Sequence, residues 1–189
     1  MTILRDFQTV GQDLFASGLN NSHSGNMSLR NNRMMAITRS GSMLHRLEYS
    51  DIIETLIDGE DAQTALASRE RPVHRAIYLQ TGAGAIVHAH PPTLIALSLH
   101  CRNFMPIDAE GQYFFKRGVP VIEVTNAIAS EEVASKVVPV LREFPMVIVR
   151  GHGTFAIGDR LEDGFHYTSS LEHSARIAFI NNHLVKTLT

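Results

Sequence analysis

Residues 70–90 read Glu-Arg-Pro-Val-His-Arg-Ala-Ile-Tyr-Leu-Gln-Thr-Gly-Ala-Gly-Ala-Ile-Val-His-Ala-His, a helical pattern followed by a strand pattern that ends in two histidines. The apolar run that begins at Ala85 has the length of a buried strand. Because the side chains of a strand alternate between its two faces, His88 and His90 leave the same face of the sheet. Their imidazoles either converge on one metal ion or form ordinary hydrogen bonds at a strand end.

A third histidine follows another apolar run. Met146–Val149 is a second short strand pattern, and His152 comes after it between two glycines. Three neutral imidazoles leave a tetrahedral divalent ion one open position, which is the pattern of a catalytic zinc rather than a structural one. The sequence therefore predicts a metal site at His88, His90 and His152, with Zn2+ as the cofactor and Mn2+ or another divalent ion as the alternative.

The first part of residues 70–90 belongs to a predicted helix that runs from Ser68, its N-cap, to Gln80. Pro72 is tolerated in the first turn, because an N–H there would have no intrahelical partner. Glu70 and His74 are four residues apart and therefore lie on one side of this helix. The two side chains form a surface ion pair, or the carboxylate points at whatever faces that end of the helix.

Helix and strand patterns alternate along the rest of the chain. Asn31-Asn32 suits the tight turn of an early hairpin, and residues 105–117 are predicted to form a loop. Mixed strands and helices of this kind predict an α/β sandwich around one sheet, within a single domain of residues 1–189. Further helices are predicted at residues 3–15, 92–99, 130–141 and 161–184, and further strands at residues 25–30, 33–38, 51–59, 119–124 and 154–158.

Composition excludes several classes of function. A formal net charge of −2 without a basic patch gives no reason to expect nucleic acid or an anionic membrane as a partner. No apolar run approaches the roughly 18 residues of a membrane helix and no leader pattern is visible, so a cytoplasmic location is expected. Cys101 is the only cysteine, which rules out an intrachain disulfide and a thiolate metal cluster.

Two predicted loops contain polar groups that suit chemistry. Thr38–Ser42 combines hydroxyls, a glycine and an arginine, which is either ordinary turn chemistry or a cradle for an oxyanion. The predicted loop at residues 105–117 contains Asp108, Glu110 and Tyr113, whose side chains can act as acids.

Six short motifs together resemble the class II aldolase/adducin family. Each is weak alone, but all six occur in the family's order and at close to its spacing over nearly the whole chain. The resemblance implies a three-layer α/β sandwich, with a central, mainly antiparallel sheet flanked by helices. It also implies a homotetramer whose active sites lie between subunits. The motifs are Gly25-Asn26-x-Ser28, Thr38-Arg39-Ser40-Gly41, Glu70-x3-His74, His88-Ala89-His90, Ala96-Leu97-Ser98 and His152-Gly153.

The resemblance also implies roles for particular residues. His88, His90 and His152 would be the zinc ligands, and Glu70 would be the catalytic acid/base that can also approach the metal. Arg69 stands where the family's sugar-phosphate aldolases have a serine, which leaves the identity of the substrate open. The phosphate of the substrate would be bound by Asn26, Ser40, Gly41 and Ser68.

The implied activity is that of a zinc-dependent aldolase, a carbon–carbon lyase that cleaves a small phosphorylated ketose into dihydroxyacetone phosphate and an aldehyde. Cleavage leaves an enediolate, and a zinc ion chelated by its oxygens disperses the charge. The alternatives on this scaffold are a sugar-phosphate 4-epimerase, a dehydratase, a decarboxylase and a non-catalytic adducin-like binding module. The aldolases borrow a second acid from a neighbouring subunit, and its candidates here are Asp108, Glu110 and Tyr113.

Overall fold

The computed structural model describes residues 3–188, which form one eight-stranded sheet with helices on both faces. The helices are α1 (Ile3–Ala16), α2 (Arg71–Gln80), α3 (Pro92–Ser98), α4 (Ala109–Phe114), α5 (Glu131–Leu141) and α6 (Leu161–Leu188). The strands are β1 (Asn26–Asn31), β2 (Met34–Thr38), β3 (Ile52–Leu56), β4 (Ala85–Ala89), β5 (Asn103–Phe104), β6 (Val119–Ile122), β7 (Met146–Val149) and β8 (Gly153–Gly158). Short 3-10 helices lie at Leu44–Arg46, Tyr49–Asp51 and Thr64–Leu66.

The strands follow the order β3-β2-β1-β4-β8-β7-β6-β5 across the sheet. Each neighbouring pair is antiparallel except β6 and β7, which are parallel. The expectation of a mainly antiparallel sheet is therefore confirmed. Strand β4 lies between β1 and β8 in the middle of the sheet, and each of its five residues is buried.

Helices cover both faces of the sheet, which confirms the expected three-layer arrangement. Ile86 of β4 belongs to the core cluster that α2 and α5 form with the sheet. Val87 belongs to the cluster on the opposite face, which includes α1 and the start of α6. Because side chains of a strand alternate, His88 and His90 leave the sheet on the face of Ile86, toward α2 and α5.

The early hairpin forms where the sequence predicts it. β1 and β2 pair in register from Ser28 with Ile37 to Asn31 with Met34. Asn32 in the turn has φ of 55°, in the left-handed region that asparagine tolerates better than most residues. On its other side β1 pairs with β4, which places Asn26, at the start of β1, beside His88.

The prediction that Ser68 caps helix α2 is wrong. The helix begins at Arg71, and Glu70 occupies the capping position without a side-chain capping bond. The N–H of Ser68 donates instead to the carbonyl of Thr38 at 3.0 Å, next to a bridge between Arg39 and Ala67. Ser68 therefore pairs with the end of β2, and the helix begins two residues later than predicted.

The prediction of a loop at residues 105–117 is also wrong, because this segment contains helix α4. Asp108 caps it and accepts a hydrogen bond from the N–H of Gly111 at 2.8 Å. A helix of six residues is too short to show a helical apolar period in the sequence. Strand β5, which has only two residues, escaped prediction for the same reason.

Among the described residues, no helix combines the length and the apolar character that a membrane span requires.

Candidate metal centre and its pocket

Three histidines from separate parts of the chain meet at one end of β4. His88 lies in β4, His90 follows that strand, and His152 lies in the turn between β7 and β8. One nitrogen from each ring can be chosen so that all three lie within 4.8 Å of one another. Such a group can hold a metal ion and matches the three-imidazole pattern of a catalytic zinc.

The turn that contains His152 depends on its neighbouring glycines. Gly151 has φ of +68°, which favours glycine. A Cβ added to Gly153 would lie 2.4 Å from the carbonyl oxygen of Ala89, so the backbone of this turn touches β4 directly. The hydroxyl of Ser98 in α3 accepts a hydrogen bond from the N–H of Gly151 at 3.0 Å. The third histidine is therefore held against the strand that contains the first.

Hydrogen bonds also fix the other two histidines. The Nδ1 atom of His88 lies 2.9 Å from the carbonyl of Thr154, so Nδ1–H donates and Nε2 is left free for a ligand. The backbone N–H of His90 points at the side-chain carbonyl of Asn20, also at 2.9 Å. A Cβ on Gly25 would lie 2.4 Å from the Asn20 amide, which leaves room only for glycine there.

Burial keeps the three imidazoles neutral. It lowers the pKa of His90 to about 4 and that of His88 well below the ordinary value, and the neighbouring histidines lower both further. Burial also lowers the pKa of His152. Metal ligands must be unprotonated, so at neutral pH these rings are in the form that binds a divalent ion.

Glu70 is a buried carboxylate beside the three histidines, with 5% of its surface exposed. Its Oε1 atom accepts a hydrogen bond from the N–H of Ala129 at 3.0 Å. Burial raises the pKa of the Glu70 carboxyl, and the Ala129 N–H and the charge of Arg69 only partly offset this. A carboxyl with a raised pKa holds its proton more readily than an exposed one, which suits a group that transfers a proton.

The contact with Ala129 was not expected from the sequence. Ala129 has φ of +50°, a conformation that is uncommon for a residue other than glycine and costs backbone energy. It lies in the connection between β6 and α5, and its neighbour Ile128 lines the pocket. The local sequence contains no glycine that would have signalled this conformation.

The histidines and Glu70 open into a pocket of about 580 Å³. The four predicted phosphate-binding residues, Asn26, Ser40, Gly41 and Ser68, line the same pocket, as does Arg69. The lining also includes residues that the sequence did not single out: Asn21, His23, Ser24, Arg39, Ser42 and Ile128. A larger cavity, of about 750 Å³, lies at the C-terminal end of α2, but the described residues around it include no cluster of metal-ligating side chains.

Buried polar atoms without a protein partner concentrate in this pocket. Asn26 Oδ1, Glu70 Oε2, His90 Nδ1 and His152 Nδ1 are all buried and have no hydrogen-bond partner among the described residues. An unsatisfied buried polar atom costs about 1–3 kcal/mol, so four in one pocket indicate a site built for a ligand. Nitrogen and carboxylate donors around one point fit a divalent metal ion.

The three candidates for a second acid lie elsewhere on this subunit. Asp108 and Glu110 line a separate cavity with His173, and Tyr113 is 71% exposed. Burial acts to raise the pKa of Asp108, but the N–H of Gly111 and the hydroxyl of Ser174 outweigh it, and the pKa is lowered. The structure does not bring these side chains to the pocket of their own chain.

Comparison with known proteins shows similarity over most of the chain. A structure of L-fuculose-1-phosphate aldolase from Thermus thermophilus has a TM-score of 0.91 and 38% identity, covering 97% of this chain and 95% of that one. A methylthioribulose-1-phosphate dehydratase from Acidiphilium cryptum is 31% identical over 185 residues, covering 89% of this chain and 85% of the relative. A 3,4-dihydroxyphthalate decarboxylase from Rhodococcus jostii is 30% identical over 58% of this chain, and this match spans about half of the decarboxylase, 47%.

A family profile covers the same region. The class II aldolase and adducin N-terminal domain profile matches residues 5–179, a range that includes Glu70, the three histidines and every strand of the sheet. The sheet flanked by helices and the histidine group agree with this match. The chain therefore belongs to the class II aldolase and adducin N-terminal domain family.

Proposed function

We propose that the protein is a zinc-dependent aldolase that cleaves a small phosphorylated ketose. One observation carries the proposal: three neutral imidazoles and a buried carboxyl of raised pKa line one pocket. Loss of an aldehyde, of water or of CO2 next to a carbonyl develops enolate charge in each case. The same pocket therefore suits the aldolase, dehydratase and decarboxylase reactions after which the relatives are named.

His88, His90 and His152 would hold the divalent ion. When bound, such an ion supplies a Lewis acid that withdraws charge from the carbonyl and hydroxyl oxygens of the substrate. The Thr154 carbonyl holds the ring of His88, and the side chains of Asn20 and Ser98 hold the backbone at His90 and beside His152, so the positions of the three residues do not depend on the ion alone. A site that is preorganised in this way needs little rearrangement when charge develops.

Glu70 would move the proton. In the cleavage direction, its protonated carboxyl gives a proton to the carbon released when the carbon–carbon bond breaks, and in the condensation direction the carboxylate takes it back. The hydrogen bond from Ala129 fixes one oxygen, Oε1, and leaves Oε2 free for the proton. The raised pKa, caused by burial, makes it easier for the carboxyl to hold the proton that it must give in the cleavage direction.

Neutral donors would bind the phosphate. Ser40 and Gly41 lie in the turn after β2, and Ser68 and Asn26 line the same pocket. The Arg39 guanidinium is engaged with the carbonyl of Ser50 at 2.9 Å and serves to hold this turn. Hydroxyl and amide donors hold a phosphate by hydrogen bonding without fixing a large positive charge in the site.

We propose that a neighbouring subunit supplies a second acid. The active assembly would then be a homotetramer whose sites lie between subunits. In the cleavage direction, a group opposite Glu70 must take the proton of the hydroxyl that becomes the aldehyde oxygen, and in the condensation direction the same group gives it back. Glu110 and Tyr113 are exposed on their own chain, whereas Asp108 is half-buried and its side chain caps α4, so the two exposed residues are the better candidates. Mixing inactive Glu70→Gln chains with chains altered at all three positions restores activity if the site is shared. An active monomer in light scattering contradicts this arrangement.

Dehydration of a methylthioribulose-type phosphate is the second candidate. The match to the dehydratase covers most of both chains, whereas the match to the decarboxylase is partial. A dehydratase also needs proton abstraction next to a carbonyl, so Glu70 would have a similar role. The product distinguishes the two, because an aldolase releases two fragments and a dehydratase retains the carbon skeleton.

The deciding experiment is a substrate panel with zinc-loaded and manganese-loaded protein. L-fuculose 1-phosphate, methylthioribulose 1-phosphate and the dephosphorylated form of each are assayed before and after chelation. We expect cleavage of a phosphorylated ketose that is lost on chelation and regained with metal. Turnover that survives chelation, or that is unchanged in Glu70→Gln, contradicts the proposal.

A further inference from the structure

A row of buried polar side chains lies beneath the pocket and has no role in the chemistry described above. Ser28 and His74 are fully buried, and Tyr78 is 2% exposed. The hydroxyl of Ser28 lies 2.7 Å from Nδ1 of His74 and also 2.7 Å from the hydroxyl of Tyr78. The row thus joins β1 to helix α2 through three side chains in series.

The hydrogen bonds of this row have a defined donor and acceptor order. Burial raises the pKa of Tyr78, so its hydroxyl keeps its proton and has only the Ser28 oxygen to give it to within the described residues. Ser28 then has its own proton left for His74, whose Nδ1 becomes the acceptor. In the opposite direction the phenolic proton would be buried without a partner, at a cost of about 1–3 kcal/mol. The imidazole of His74 is therefore the neutral tautomer with its proton on Nε2.

This N–H has no acceptor among the protein groups of the described structure. His74 Nε2 is buried and unpaired, and so is Oε2 of Glu70. The two residues are four apart at the start of α2, where the N–H of His74 donates to the carbonyl of Glu70 at 3.1 Å, so their side chains lie on one side of the helix. One is a donor and the other an acceptor, and no direct hydrogen bond joins them.

We propose that His74 is a positioning residue for Glu70, and that its Nε2–H donates through one buried water to the second carboxylate oxygen. Ala129 holds the first oxygen of Glu70, and the water holds the second, so the plane of the carboxyl is fixed toward the three histidines. Buried waters of this kind typically satisfy polar groups that protein atoms leave unpaired. The inference rests on the proposed role of Glu70 in proton transfer.

Nitrogen-15 NMR of histidine-labelled, zinc-loaded protein tests the tautomer without any substrate. We expect the His74 ring, assigned by its absence in His74→Gln, to be Nε2-protonated and not to titrate between pH 6 and pH 8. Ser28→Ala removes the hydrogen bond to Nδ1 and leaves the water on Nε2, so the preference for the Nε2-protonated form should weaken while that form remains dominant. A wild-type ring protonated at Nδ1 overturns the proposal, and this outcome is independent of the identity of the substrate.

Crystal structures of the wild type and of His74→Leu test the bridge. We expect a water within hydrogen-bonding distance of His74 Nε2 and Glu70 Oε2 in the wild type, and a turned Glu70 carboxyl in His74→Leu. An unmoved Glu70 in that variant overturns the proposal. His74→Gln, which keeps an N–H donor on a side chain of similar reach, should retain the water and the orientation, and it serves if the leucine variant does not fold.

Kinetics give the third measurement, on whichever substrate the panel identifies. We expect kcat of His74→Leu to fall roughly tenfold to hundredfold, as when an outer hydrogen bond of a site is removed, with KM nearly unchanged. His74→Gln should recover most of kcat. Thr168→Val removes another buried hydrogen bond, from the hydroxyl to the Gly164 carbonyl in α6, and controls for loss of stability alone. Equal losses of kcat in His74→Leu and Thr168→Val contradict a positioning role.

Discussion

Two sides of the pocket are built differently. The metal wall consists of β4 with His90 and of the β7–β8 turn with His152, and backbone hydrogen bonds within the central sheet fix it. The pocket mouth consists of Ser40–Ser42, Arg69 and Ile128, which lie on connections between elements. Arg69 is exposed, and 60% of the surface of Ile128 is accessible.

From this difference we infer that the metal wall carries out the chemistry and that the pocket mouth selects the substrate. Neutral imidazoles held by a central sheet suit the stabilisation of enolate charge, which we propose as the step common to aldolase, dehydratase and decarboxylase reactions. Side chains on exposed connections can change without disturbing the core, so they suit discrimination between substrates. Substitutions in the metal wall should therefore abolish the reaction, and substitutions in the mouth should change which molecules react.

Loss of a ligand should have the largest effect. We expect His90→Ala to reduce bound zinc from about one ion per chain to near none, and activity with it, because two imidazoles do not complete the site. Metal content by atomic absorption and turnover measure the two effects. His100→Ala, at an exposed histidine that follows α3, is the control and should keep both. Full zinc content in His90→Ala would remove this residue from the site.

Replacement of Glu70, the proposed proton donor, should have the next largest effect. Glu70→Gln keeps the size of the side chain, so metal content should stay normal while kcat falls roughly 10²-fold or more. The raised pKa gives a second signature. A carboxyl whose pKa is raised on folding favours the folded state below its unfolded pKa, and this contribution is lost as pH rises through the folded pKa. Glu70→Gln should therefore be the more stable protein at pH 8, and a less stable variant there would contradict the assigned shift.

A single methyl group added at Gly153 should lower both the stability of the protein and its affinity for zinc. Gly153→Ala places a Cβ 2.4 Å from the Ala89 carbonyl, so the turn must move and His152 with it. We expect a loss of about 1–3 kcal/mol in the free energy of unfolding and about tenfold weaker zinc binding. Gly82→Ala is the matched control, since nothing lies within 4 Å of its added Cβ. Equal zinc affinities of the two variants, by competition with a chelator, would show that the turn does not position His152.

Acid should destabilise the metal-free protein. The lowered pKa values of His74, about 3, and His90, about 4, favour the folded state above the ordinary histidine pKa of 6.5. This contribution is lost as pH falls from 6.5 toward those values, because the unfolded chain binds protons first. Each 1 kcal/mol lost lowers Tm by about 2–4 °C in a chain of this size. Calorimetry between pH 7 and pH 5 measures the slope, and a flat profile would contradict neutral buried rings.

The parts of the site that follow from local periodicity could be predicted from the sequence. The two-residue spacing of His88 and His90 indicated one face of a strand, and the apolar run before His152 indicated a second strand that ends nearby. The structure brings these residues together with Glu70 and with the four predicted phosphate-binding residues in one pocket. The histidine positions follow from local patterns, whereas the roles of Glu70 and of the phosphate-binding residues were predicted from the family resemblance.

The rest depends on contacts between distant parts of the chain. Asn20 holds the backbone of His90 across 70 positions, and Ser98 holds the His152 turn across 53. Nothing in the neighbourhood of either residue encodes its partner. Ala129 adopts its positive φ because the surrounding fold places its N–H at Glu70, and no local rule predicts that for an alanine. Helix α4 and strand β5 are too short to show a period.

Replacement of Arg69 should have the smallest effect, and it should separate substrate binding at the pocket mouth from the chemistry at the metal wall. It lines the mouth beside Glu70, is exposed, and has no hydrogen bond or ion pair recorded among the described residues. An exposed charge of this kind contributes modestly, so Arg69→Ser should raise KM for a phosphorylated substrate about two- to fivefold and leave kcat unchanged. The dephosphorylated substrate should show no change, because it offers no anion to the guanidinium. Arg33→Ser, in the turn of the β1–β2 hairpin at the other end of those strands, removes the same charge and is the control. A rise in KM that is equal in both variants would indicate a general charge effect, and a fall in kcat in Arg69→Ser alone would move this residue from the mouth into the chemistry.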